Sequence, residues 1–121
     1  MRILAPILLA AYCTVCLAAD PPANATAGIL TGPNGMTLYT FTNDPVGSGK
    51  SVCNGPCAAL WPPLAASASD KGSGEYSVIA RDDGSRQWAY KGKPLYFWVR
   101  DVKSGDKTGD GVNNVWHLAR P

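Results

Sequence analysis

"LYTFTND" at residues 38–44 and "LYFWVRD" at residues 95–101 are one phrase, Leu-Tyr-x-aromatic-x-x-Asp, written twice at an offset of 57 (96 − 39). Tyr39 and Phe41 are two residues apart, as are Tyr96 and Trp98, so each pair points to one face of an extended strand. Asp44 and Asp101 lie an odd number of residues further on, on the other face or past the strand end. A carboxylate in that place commonly folds back onto the N–H groups of the turn that follows. This spacing favours a loop-pinning role for both aspartates, ahead of ligand or metal binding and well ahead of acid/base catalysis.

The duplication is wider than the phrase. Gly35 precedes Tyr39 by four residues and Gly92 precedes Tyr96 by four. Each Asp leads into a Gly/Ser/Lys-rich loop, and each loop leads to a tryptophan, Trp61 at 17 residues after Asp44 and Trp116 at 15 after Asp101. Two such units, each too small to bury a core alone, are expected to pack on each other. Thirteen Gly and ten Pro cut the chain into short pieces, and the pieces read as strands. "AGILTGPNGMTLYTF" is a hairpin around Gly32-Pro33-Asn34-Gly35, "YSVIARDDGSRQWAY" another around Asp82-Asp83-Gly84-Ser85, and "KGKP" turns the chain again into "LYFWV". Links this short make antiparallel neighbours. The expected fold is mostly β: a small antiparallel meander domain of five or six strands. Its half-repeats span about 27–64 and 75–121, with residues 65–74 as a surface connection. Helical signal is confined to a short segment, Cys57–Trp61 beside the cysteine pair, stopped by Pro62 and Pro63.

Residues 1–19, "MRILAPILLAAYCTVCLAA", follow the order of a secretory signal peptide, with one Arg, an apolar run and small residues at Ala18 and Ala19. Cleavage near Ala19 leaves a single domain at 20–121, periplasmic or secreted, without a transmembrane segment. Cys13 follows "AAY" and Cys16 follows "CTV", neither of them the Leu-Ala-Gly-like triplet that precedes a lipidated cysteine. Loss of Arg2 leaves ten basic residues against nine acidic ones, a balance that recommends no nucleic acid as partner. Cys53 and Cys57 then remain as an even pair in an oxidising compartment. Their C-x3-C spacing favours a structural disulfide over a redox or metal-binding pair.

The remaining motifs are weaker. Asp106, Thr108, Asp110 and Gly111 fall on positions 1, 3, 5 and 6 of a calcium loop, but position 12 is His117 where a bidentate Glu is required; Asp106 and Asp110 are therefore weak metal candidates. "GSGKS" at 47–51 lacks the first glycine of a phosphate loop, Asp44 standing in its place. His117 has neither a nucleophile nor a carboxylate at a catalytic spacing. Trp61, Trp88, Trp98, Trp116 and tyrosines 39, 76, 90 and 96 supply core area to a chain poor in Leu, Ile and Phe, with a partly exposed platform for a sugar, peptide or flat ligand as the second reading.

The two motifs Tyr39-x-Phe41-x-x-Asp44 and Tyr96-x-Trp98-x-x-Asp101, together with "CNGPCAALWPPL" and "GDGVNNVWHLARP", resemble a bacterial family of secreted proteins and predicted lipoproteins that carry a Y-x-[FWY]-x-x-D repeat and have no assigned function. The resemblance covers essentially the whole chain after residue 19 and implies an exported protein, without implying a reaction. The expected function is a non-catalytic binding or interaction module of the bacterial envelope, with no cofactor, whose partner is an envelope component or small ligand. A periplasmic redox or metal-handling accessory is the alternative.

Overall fold

A computed structural model describes residues 20–121; the expected signal peptide, with Cys13 and Cys16, lies outside the described residues. The described residues form eight short strands: β1 (Asn24–Thr26), β2 (Ile29–Thr31), β3 (Tyr39–Phe41), β4 (Ala65–Ala66), β5 (Tyr76–Ala80), β6 (Arg86–Tyr90), β7 (Lys93–Pro94) and β8 (Trp116–Leu118). One helix, α1 (Pro56–Leu60), and a 3-10 turn at Val112–Asn114 complete the set. All strand pairs are antiparallel, and the fold is mostly β with two half-repeats, as the turn signals indicate. β5, β6 and β7 follow one another as hairpins, with β4 beside β6. β3 pairs instead with β8, 75 residues or more along the chain, in the register Tyr39↔Leu118, Thr40↔His117, Phe41↔Trp116.

A local two-fold relation organises these pairings. Tyr39 N–H donates to Tyr96 O at 2.8 Å and Tyr96 N–H to Tyr39 O at 3.0 Å, so the two copies of the phrase pair with each other at their tyrosines. On one side of this bridge Thr42 N–H donates to Val115 O, and Ala119 N–H to Leu38 O; on the other, Val99 N–H donates to Leu60 O, and Leu64 N–H to Leu95 O. Trp61-Pro62-Pro63-Leu64 thus occupies, in the first half, the place of β8 in the second.

That substitution explains one difference from expectation. The run 95–98 does not form a regular strand; Tyr96 makes only isolated bridges, to Tyr39 and to Pro63. Pro62 and Pro63 have no N–H to donate, so the ladder cannot continue along them as it does between β3 and β8. Two strands carried little signal. β4 lies at Ala65–Ala66, in the stretch read as surface connection, where β6 captures it through Ala65↔Gln87 and Ala66↔Arg86. β1 exists because Ala27 and Gly28 take φ of 52° and 80°, the two positive values of a tight hairpin turn, and fold Asn24–Thr26 back on β2.

Two cores result. Leu30, Leu38, Leu64 and Leu95, with Trp88, form a leucine-rich one between the hairpins. Tyr39, Tyr96, Trp61, Trp116 and Cys53 form an aromatic one at the bridge, and this second core is where the repeated phrase sits.

Candidate functional site

Each motif tyrosine reaches across to the aspartate of the other half. Tyr39 Oη donates to Asp101 Oδ2 at 2.6 Å; Tyr96 Oη donates to Asp44 Oδ2. The second oxygen of each aspartate holds its own loop. Asp44 Oδ1 accepts the Val52 N–H at 2.7 Å, and Asp101 Oδ1 accepts the Thr108 N–H at 3.0 Å and the Thr108 hydroxyl at 2.6 Å. Both carboxylates are buried, at 4% and 8% exposure, so neither oxygen of either one is open to a substrate. Burial, and after it the hydrogen bond to Asp101, raises the Tyr39 phenol well above its usual range. Burial and then Asp44 do the same to Tyr96. Burial also raises the Asp44 carboxyl, against the opposing pull of Tyr96, Val52 and the Arg81 charge.

The Asp44–Tyr96 pair carries an extension that the Asp101–Tyr39 pair lacks. Arg81 is only 5% exposed, and its guanidinium donates to Ser51 Oγ at 3.0 Å, Gln87 Oε1 at 2.7 Å and the Cys53 carbonyl. Ser51 in turn lies 2.6 Å from Tyr96 Oη. The Tyr96 hydroxyl donates its hydrogen bond to Asp44, so Ser51 is the donor in that pair. The buried cation and the buried carboxylate therefore communicate through two hydroxyls, an arrangement that satisfies every buried charge by hydrogen bonds.

Around these polar groups the rings form one stack. Phe41 lies on Trp116 at 4.2 Å and 10°, Trp116 on Trp61 at 3.8 Å and 3°, and Trp61 on Trp98 at 4.0 Å and 25°. Tyr39 and Tyr96 meet Trp61 and Trp116 edge-on. Each strand aromatic thus packs on the tryptophan of the other half, the two tryptophans meet at the centre, and only the outer rings, Phe41 and Trp98, are half-exposed.

Cys53 and Cys57 are joined by a disulfide. Asp106 and Asp110 do not come together as ligands. Asp106 takes the Val102 and Lys103 N–H groups and the Lys103 ammonium. Asp110 takes the Leu118 N–H at 3.3 Å. Among the described residues no three His, Cys, Asp or Glu side chains gather in a group that could hold a metal. His117 is exposed on β8, on the strand face opposite the buried Trp116.

The open concavity lies beside the motif. A groove of about 430 Å³ runs over β3 and β8 to the β6–β7 turn, with Phe41, Leu95 and Leu118 among its apolar lining and Lys91, Lys93 and Arg120 among its polar lining. Thr40 and His117, cross-strand partners, share its floor. Of the lining residues the sequence singled out Phe41, Asp44, Tyr90 and His117. Lys91 and Lys93 read only as turn residues in "KGKP", and nothing in Arg120 signals that β8 carries it beside them. Ser51 and Arg81 were equally silent, an Arg before "DDG" having the pattern of a solvated turn.

No curated protein and no solved structure matches this chain. A family model described as a secreted repeat of unknown function matches it twice, over residues 23–65 and 77–120, the two halves that the Tyr39–Tyr96 bridge relates. The chain belongs to that family of secreted repeats.

Proposed function

We propose that the protein is a non-catalytic module of the bacterial envelope, released to the periplasm or beyond by removal of residues 1–19, that holds a small ligand or envelope component in the groove over β3 and β8. The single observation that carries this reading is the division of labour between motif and groove. All the acidic and phenolic groups of the repeated phrase are spent inside the molecule, whereas the groove beside them is open and has the size of small-molecule clefts, ~300–1,000 Å³. The family's secreted character supports export. The surroundings of the cysteine pair favour this reading over a redox role: Cys53 is fully buried and its carbonyl is tied to Arg81.

Native mass spectrometry of protein recovered from the producing cell tests the proposal, with Thr42→Trp as the comparison. Thr42 is exposed at the groove lip, and an indole there closes the concavity. Wild type is expected to carry a bound molecule or co-purifying component that Thr42→Trp lacks. Equal retention by both proteins, or a bare protein in both cases, would refute groove binding.

A further inference from the structure

The charges at the groove are one-sided. Lys91, Lys93 and Arg120 are all exposed, and none of them belongs to an ion pair among the described residues. Among the described residues the one carboxylate in the lining is Asp44, whose two oxygens are already taken by Tyr96 and Val52. Three of the ten Lys and Arg that follow residue 19 therefore surround one apolar cleft, without a counter-charge free to meet them. Phe41 adds shape to charge: its inner face is covered by Trp116 at 4.2 Å, so the side it offers the groove is that of a ring already fixed in a stack. A ring held this way loses little freedom when a second flat surface settles on it.

We propose that the groove takes an anionic small molecule with a flat apolar body, the body lying against Phe41, Leu95 and Leu118 and the anionic group meeting Lys91, Lys93 and Arg120. The inference rests on the groove-binding reading above and adds the ligand class to it. A cationic ligand would face three like charges, and a neutral one would forgo their attraction while still displacing their water.

Naphthoate is a probe of this class, and naphthylmethanol and naphthylmethylammonium are its neutral and cationic counterparts. Calorimetric titration of the full exported chain, with amide NMR shifts to locate the site, is expected to give naphthoate affinity about tenfold above the alcohol, with the ammonium weakest. The shifts should fall on residues 40–42, 91–95 and 117–120. Lys93→Gln combined with Arg120→Gln, both exposed and outside either core, should remove most of that preference, read as the ratio of naphthoate to alcohol affinity within the same variant. Raising the salt should weaken naphthoate alone. Equal affinity for all three probes, or no binding of any, would overturn the assignment of ligand class. If protein from its own cells still carries a molecule that Thr42→Trp lacks, that failure concerns the ligand class alone; if it carries none, groove binding falls as well.

Discussion

The Tyr39 hydroxyl donates to Asp101 and accepts the Gly109 N–H at 3.1 Å, so neither end of that phenol is spare. Tyr96 is placed differently, because its second neighbour is Ser51, a hydroxyl that can donate or accept. Motif spacing alone predicts that the two aspartates behave alike on substitution, with Asn milder than Ala. The local chemistry separates them. In Asp44→Asn the new amide N–H can donate to Tyr96, which then turns its own hydrogen to Ser51, at the cost of one of the two hydrogen bonds that Ser51 Oγ accepts from Arg81 and the Cys53 N–H. In Asp101→Asn the phenol oxygen of Tyr39 receives two donors and its proton has no acceptor. Unfolding measurements should therefore give on the order of 3 kcal/mol for either Ala variant, about 2 for Asp101→Asn and about 1 for Asp44→Asn, since each orphaned buried group costs ~1–3 kcal/mol. Equal losses for the two Asn variants would mean that Ser51 does not act as the adjustable partner. At the surface, hydrogen bonds from the Lys103 ammonium and from the Val102 and Lys103 amides lower the Asp106 carboxyl from 3.8 to about 2. A lowered folded value means that the turn's extra stability is present above 3.8 and is lost as the pH falls toward 2. Amide exchange at Val102 and Lys103 should accelerate across that window, and Asp106→Asn should abolish the pH dependence.

Among the elements, the ring stack sets the closest tolerances. A Cβ on Gly109 would stand 2.8 Å from Trp61 Cη2 and 3.0 Å from Trp98 Cγ. The backbone there is not left-handed, so Gly109→Ala isolates packing from strain. Neither indole can yield without breaking its contact with the next ring. The variant should lose about 2 kcal/mol in denaturant unfolding, within the usual range for overpacked cores, and should change the near-ultraviolet circular dichroism of the stacked indoles. An unaltered spectrum with full stability would show that the stack has room the geometry denies. The hairpins around Gly32–Gly35, Asp82–Ser85 and Lys91–Gly92 were legible in the sequence because turn residues act locally. β4 was not, since alanine has little strand preference of its own and Ala65–Ala66 is extended only because β6 pairs with it. For the same reason the run 95–98 looked like a strand. Its aromatic alternation is visible, whereas the two prolines that deny it a ladder stand more than thirty residues earlier.

At the scale of the molecule, the repeat was legible and the exchange between its halves was not. Spacing shows that Tyr39 and Asp44 recur as Tyr96 and Asp101; it does not show that each tyrosine serves the other half's aspartate, which depends on the bridge between the two strands. The groove stayed hidden for a like reason, because β3 and β8 bring Phe41 and Arg120 to one cleft from opposite ends of the domain. This exchange has a mechanical consequence. The halves are joined covalently through residues 67–75, which are mostly exposed, but they are held together by the β3–β8 pair, the Tyr39–Tyr96 bridge, both tyrosine–aspartate bonds and the ring stack. Gly47 N–H also donates to Gly92 O at 2.9 Å, docking the first half's loop on the second half's turn. Cutting the connection removes none of these contacts. A protease site introduced at 71–74 and cleaved in the folded protein should therefore leave two fragments that co-elute as one species of unchanged size and separate only in denaturant. The midpoint of unfolding should fall and become dependent on concentration, because the chain entropy the linker suppressed is restored. Tyr39→Phe with Tyr96→Phe in the nicked protein, which deletes both crossed hydrogen bonds and keeps the rings, should loosen the pair. Fragments that separate without denaturant would mean that the halves fold on their own and that the crossed pairs are decoration on a tandem of independent units.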